Sequence, residues 1–248
     1  MKILVCVNHV PDTEARIKVG TDNCTIDATG VNYILNPYDE FALEEGLRTR
    51  EKSGGEVIAV SCGGDTHKET LRKALAMGVD KAVLLKDDAP RDSFGIAKAL
   101  ADYAGEIGAE IIFTGKQSID YDGSQTGSSI AELLGWPSIS VAVKLDIADE
   151  KITAHREIEG GHEVVQASLP AVVMAQKGLN EPRYPSLKGI MAAKNKPIEE
   201  KKPAAIDQRV QVVRMRKPAG KSAGRIVGTD AGAVPELVRL LHEEAKVI

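Results

Sequence analysis

Glu110-Ile111-Ile112-Phe113-Thr114-Gly115-Lys116-Gln117-Ser118-Ile119-Asp120-Tyr121-Asp122-Gly123-Ser124-Gln125-Thr126-Gly127 joins a short apolar run to a long loop of small and polar residues. Residues 110–114 are apolar without alternation, as in a strand buried on both faces. Residues 124–134 then take helical spacing, closed by Gly135 and Pro137. The stretch is therefore a strand, a loop and a helix, and the loop opens where such units hold ligands.

The same unit recurs upstream. Residues 3–7, 57–61 and 82–85 are short apolar runs, and helices are expected between them at 38–52, 66–77 and 93–107. In the first helix Phe41, Leu43 and Leu47 form the apolar side, with Glu40, Glu44, Glu45 and Arg48 on the wet side. Asn36 is placed to cap it, and Pro37 sits where a missing N–H costs nothing. Thr66 and Glu69 have capping-box spacing at the second helix, which Gly78 closes. Strand–helix alternation of this kind predicts an α/β fold, a doubly wound and mostly parallel sheet.

From Ile139 to Gln176 the pattern changes. Residues 141–145, 151–156 and 162–167 are strands separated by the turn pairs Asp149-Glu150 and Gly160-Gly161, a β-meander, and 171–175 is a further core strand. Pro182 and Pro185 then push Glu181 and Tyr184 towards extended geometry, so 181–186 is expected to project as a stiff loop followed by Leu187, Ile190 and Met191. The remainder is Lys-, Pro- and Ala-rich until a last helix at 234–246. The expected division is a body at 1–180, a projecting loop and short helix at 181–196, and an arm at 197–248 lying over a partner.

The net charge of −4 hides an asymmetry, with about +6 on residues 181–248 and about −10 on the rest. Tyr184 is the only aromatic residue of the basic part, which leaves no stacking platform for bases, so an acidic protein partner is expected and nucleic acid is not. The three cysteines, Cys6, Cys24 and Cys62, form no C-x-x-C and no disulfide frame. No apolar run reaches the ~18 residues of a membrane span. The opening residues lack the features of a secretory leader, which makes a cytoplasmic protein, or a mature organellar form, the expectation.

Catalytic residue types are scattered. His9, His67, His155, His162 and His242 include no H-E-x-x-H, so neither a metal site nor a catalytic residue is expected. Gly220-Lys221-Ser222 imitates the end of a P-loop, but Met215 stands where the leading glycine belongs. Parallel sheets bind ligands at the carboxyl ends of their strands, and four segments fall there: Cys6–Pro11, Asn36–Asp39, Ser61–Asp65 and Gly115–Gly127. In the last, the hydroxyls of Ser124, Thr126, Ser128 and Ser129 crowd a helix N-terminus, the place for a phosphate.

Ala154-His155-Arg156-Glu157-Ile158-Glu159-Gly160-Gly161-His162-Glu163-Val164-Val165, then Pro170-Ala171-Val172-Val173, together with Asn36-Pro37-Tyr38-Asp39, Gly115-Lys116-Gln117-Ser118-Ile119-Asp120 and Asn180-Glu181-Pro182-Arg183-Tyr184, resemble the electron transfer flavoprotein beta subunit family. Met174, where the family has Thr, Ala or Cys, departs from it.

The resemblance implies a heterodimer whose alpha subunit holds most of a single FAD, and an adenine nucleotide alpha hydrolase-like body in which AMP is held structurally. Its AMP positions match Cys6, Asn36, Pro37, Tyr38, Asp39, Cys62 and Gly115, Lys116, Gln117, Ser118, Ile119, Asp120, Tyr121, Asp122, Gly123, Ser124, Gln125 and Thr126. The family's recognition loop matches 181–191, with Leu187 entering a pocket on dehydrogenases, Tyr184, Ile190 and Met191 beside it, and Glu157 near the same interface. Electrons would pass from dehydrogenases, such as the acyl-CoA dehydrogenases of fatty acid oxidation, to a membrane quinone oxidoreductase. Val10-Pro11-Asp12-Thr13 and Asn36–Asp39 resemble the electron-bifurcating branch, in which a second FAD replaces AMP and NADH is oxidised, whereas Ser124–Gly127 and the Arg156–Glu163 stretch resemble the AMP branch. A stand-alone adenine-nucleotide-binding regulator is the reading from another class.

Overall fold

The computed structural model describes residues 1–220 and 223–248; Lys221 and Ser222 of the P-loop imitation lie outside the described residues. The apolar runs form a nine-stranded sheet of β1 (Lys2–Cys6), β4 (Glu56–Gly63), β5 (Lys81–Lys86), β6 (Ile111–Gly115), β7 (Ser138–Ala148), β8 (Lys151–Ile158), β9 (Gly161–Ser168), β10 (Ala171–Ala175) and β11 (Glu199–Lys201), in the order β11-β5-β4-β1-β6-β10-β7-β8-β9. From β11 to β7 all pairs are parallel, and β7-β8-β9 is the expected antiparallel meander. A mostly parallel α/β sheet is therefore what the molecule has.

Alternate residues of each parallel strand face opposite helix layers. Ile3 and Val5 of β1 pack with Leu43 and Leu47 of α1 (Pro37–Ser53) and Leu71 and Leu75 of α2 (His67–Met77). Leu4 and Cys6 pack on the other side with Leu100 and Tyr103 of α3 (Ser93–Ile107) and Ile130 of α4 (Thr126–Leu134). The chain winds from β1 outward through β4 and β5, then crosses back to β6 on the other side of β1. The winding reverses between β1 and β6, so their carboxyl ends flank a crevice.

Several local expectations are corrected. Asn36 precedes α1 but makes no side-chain cap. Thr66 is already helical at φ −61°, ψ −28° and does not cap α2, so no capping box forms. Helix α4 starts at Thr126 rather than 124, because Asp122 and Ser124 adopt positive φ. Glu44, expected on the wet side, is buried beneath the segment after residue 180. Leu187, Ile190 and Met191 lie on α5 (Leu187–Asn195), whose start is capped by Ser186 accepting from Gly189 N. The pair β2 (His9–Pro11) and β3 (Tyr33–Leu35) forms a small antiparallel sheet, and β11 joins the edge at β5; neither was anticipated. A last helix, α6 (Val234–Glu243), leaves Val234, Leu237 and Val238 exposed.

Candidate functional site

The carboxyl ends of β1 and β6 are bolted together by the start of α1. The Asp39 carboxylate accepts from Asn8 N at 2.8 Å and from Gly115 N at 2.9 Å, so one side chain satisfies a donor from each strand end. Asn36 works beside it: its Nδ2 donates to Gln117 O at 2.9 Å and its Oδ1 accepts from Ile119 N at 3.3 Å. Both side chains are buried, and this service to the β6 loop explains why Asn36 does not cap its own helix. Gly115 is required by the closeness of this joint, since a Cβ there would lie 2.5 Å from Asp39 Oδ1 and 2.6 Å from Tyr38 Cβ. Pro37 occupies the first turn of α1, and Lys116 Nζ lies 5.2 Å from the centre of the Tyr38 ring.

Beyond Gly115 the loop is held by its own polar groups. Gln117 Nε2 donates to Asp122 Oδ1, Ser124 Oγ donates to Gln117 Oε1 at 3.2 Å, and Asp122 N donates to Ser118 O at 2.8 Å. Asp120, Tyr121, Asp122, Gly123, Ser124 and Gln125 are exposed and form a rim, whereas Thr126 and Gly127 turn inward at the start of α4. A Cβ on Gly127 would lie 2.5 Å from Met174 Cγ and 2.9 Å from Thr114 Oγ1, which is how closely α4 approaches β10 and β6. No side chain caps α4. Its first N–H groups are a donor set suited to an anion.

Burial, then the charges of Asp39 and Cys62, pushes the Cys6 thiol far up, and burial pushes Cys62 up to about 11, so neither is a thiolate at neutral pH. Burial likewise raises Asp39 to about 7 against the hydrogen bonds from Asn8, Asn36 and Gly115.

Two groups escaped the sequence reading. His9 and His67, far apart in the chain, meet at 5.2 Å beside the ends of β1 and β4; His9 Nδ1 pairs with Thr70 Oγ1 at 2.9 Å, His67 Nδ1 with Ser61 Oγ at 2.7 Å, and Tyr33 stacks on His9 at 4.8 Å. Burial, helped by His9, lowers His67 to about 4, and burial lowers His9. The second group joins Glu44, Glu51 and Arg48 to Arg183. Neither leaves a signal in the local sequence, because each exists only once strand order brings its members together.

The residues expected to dock a partner divide between two places. Tyr184 is 96% exposed, Leu187 78%, Met191 56% and Ile190 42%, all around the start of α5. Glu157 stands apart on β8, accepting from Gln176 Nε2 at 2.9 Å.

A family model for the electron transfer flavoprotein domain matches residues 23–206. The Bacillus subtilis electron transfer flavoprotein subunit beta is 40% identical over 259 residues, covering 100% of both chains. The chain belongs to the electron transfer flavoprotein beta-subunit family. A Syntrophomonas wolfei protein of the same name is 41% identical over 225 residues, 90% of this chain and 88% of that one. A Mus musculus one is 39% identical over 246 residues, 96% of each. Membership gives the chain an electron-transfer role. Among the described residues no helix is long and apolar enough to cross a membrane.

Proposed function

We propose that this chain pairs with an alpha subunit that holds most of a single FAD, and that the heterodimer takes electrons from dehydrogenases, such as acyl-CoA dehydrogenases, and passes them to a membrane quinone oxidoreductase in a cytoplasmic setting. In this reading the chain itself binds AMP structurally in the crevice between β1 and β6, and docks redox partners through 181–191. What supports the AMP assignment is the joint that Asn36 and Asp39 make between the end of β1 and the Gly115–Ile119 loop after β6, with Cys6 at the end of β1 and Cys62 on the neighbouring β4.

The donor set fits an adenylate. Uncapped N–H groups at Thr126 and Gly127, with the hydroxyls of Ser124 and Thr126, would take its phosphate, and Cys6 and Cys62 offer a neutral, polarizable wall. The group supplies no reaction step there. It would give partners to N–H donors that otherwise cost about 1–3 kcal/mol each when buried unpaired. Tyr184, Leu187, Ile190 and Met191 form the apolar tip that docks, and Glu157 contributes from the meander. One buried leucine is worth roughly 1.5–3 kcal/mol, a strength suited to a carrier that must also leave.

The test is to co-purify the chain with its alpha partner, release the cofactors and count them. One FAD and one AMP per heterodimer supports the reading. Two FAD and no AMP transfers it to the bifurcating branch that Val10–Thr13 resembles, and a stable monomer that binds adenylate without any alpha partner replaces it with a stand-alone regulator.

A further inference from the structure

Arg183 stands at the root of the projecting segment, and its guanidinium makes four hydrogen bonds to one helix. Nε donates to Glu44 Oε2 at 2.8 Å and Nη2 to Glu44 Oε1 at 3.1 Å, while Nη1 and Nη2 donate to the two oxygens of Glu51 at 2.6 and 3.1 Å. The backbone N–H of Arg183 also donates to Glu44 Oε2, at 3.1 Å. Arg48 closes the cluster, with Nε on Glu44 Oε1 at 2.7 Å and Nη2 reaching Glu181 O at 3.4 Å. Burial acts to raise Glu44, but the hydrogen bonds from Arg183 and Arg48 outweigh it and hold the carboxylate below its ordinary range.

The neighbouring anchors have the same target or fix the other end. Asn180 Nδ2 donates to Phe41 O at 3.0 Å and Glu45 Oε2 at 2.9 Å, so three acidic residues of α1 hold the chain from 180 to 183. At the far end α5 packs on α2 with Ala193 buried, and Arg72 Nη1 donates to Ala193 O. Between these anchors, Tyr184 and Leu187 point into solvent on a segment stiffened by Pro182 and Pro185.

We propose that the Arg183–Glu44–Glu51 cluster is a positioning device that holds Tyr184 and Leu187 in their docking posture before a partner arrives. Four hydrogen bonds from one planar fork fix direction as well as distance, which a single point charge cannot do. A segment ordered in advance loses less freedom on association, so the cluster acts on encounter and affinity rather than on electron transfer itself. The inference rests on the reading that 181–191 docks redox partners.

The experiment uses the purified heterodimer and three variants: the double substitution Arg183→Gln with Glu44→Gln, which strands no buried charge, Arg183→Lys, and Leu187→Ala as the docking control. Amide exchange of residues 181–187 is followed in the free heterodimer, and kcat and KM are measured with the dehydrogenase at varied flavoprotein concentration. Faster exchange in the double variant, with KM up about tenfold, kcat and FAD content unchanged, and Arg183→Lys intermediate, is the expected result. Unchanged exchange, unchanged KM or a fall in kcat alone overturns the positioning role. If Leu187→Ala raises KM while the double variant does not, the cluster is refuted and docking stands; if Leu187→Ala changes nothing, the docking reading fails and takes the cluster's role with it.

Discussion

Replacing Asp39 by asparagine probes the joint between the two halves of the sheet. The carboxyl is buried where α1, β1 and β6 meet, and burial raises it from an ordinary aspartate value of about 4 to about 7. A carboxyl whose folded pKa lies above its unfolded one binds more protons when folded. Its contribution is therefore complete below pH ~4 and is lost as pH rises through about 7. The whole gap corresponds to about 4 kcal/mol, without a discount for solvent because the group is buried. The part that falls between pH 5 and the folded value is about 3 kcal/mol. The substituted amide does not titrate, and every other ionisable group is common to both proteins. Urea unfolding of wild type and Asp39→Asn at pH 5 and pH 8 should therefore show wild type losing about 3 kcal/mol relative to the variant across that window. A difference that does not move with pH would mean that the two N–H donors from Asn8 and Gly115 keep the carboxylate ionised throughout, and the titration argument would be wrong.

Asn36→Ala should cost about 1–3 kcal/mol by denaturant titration, because Gln117 O and Ile119 N lose their partner, and adenylate should be released more readily from the purified heterodimer. Gly127→Ala forces a Cβ against Met174 and Thr114, so a loss of about 1–3 kcal/mol is expected; an unchanged midpoint would show that α4 shifts freely. Leu187→Ala, at an exposed position, should alter stability by no more than about 0.5 kcal/mol while slowing reduction by the dehydrogenase, with FAD content intact.

The alternation of buried strands and helices was legible because each parallel strand is a run such as Ile111–Thr114, and each of α1 to α4 ends near a glycine. The switch point between β1 and β6 followed from topology alone, since the winding reverses there. What was hidden depended on competition between distant groups. Asn36 reads as a cap, yet the carbonyl of Gln117 and the N–H of Ile119 claim its side chain. Glu44 reads as solvated until Arg183, remote in sequence, lies across it. The three-residue strands β2, β3 and β11 are too short for a period, and Glu199-Glu200-Lys201 carries only charge, as an edge strand does. The short helix expected within 181–196 runs over Leu187–Asn195, and its start is marked by Ser186.

One continuous rod, α1, carries Asn36 and Asp39 at its beginning and Glu44 and Glu51 further along. An α-helix turns about 100° per residue. Inserting or deleting a single residue between Asp39 and Glu44 would thus keep every amino acid needed at both ends yet rotate the acidic pair out from under Arg183. Spacing along this rod is under a constraint that no substitution at either end can relieve.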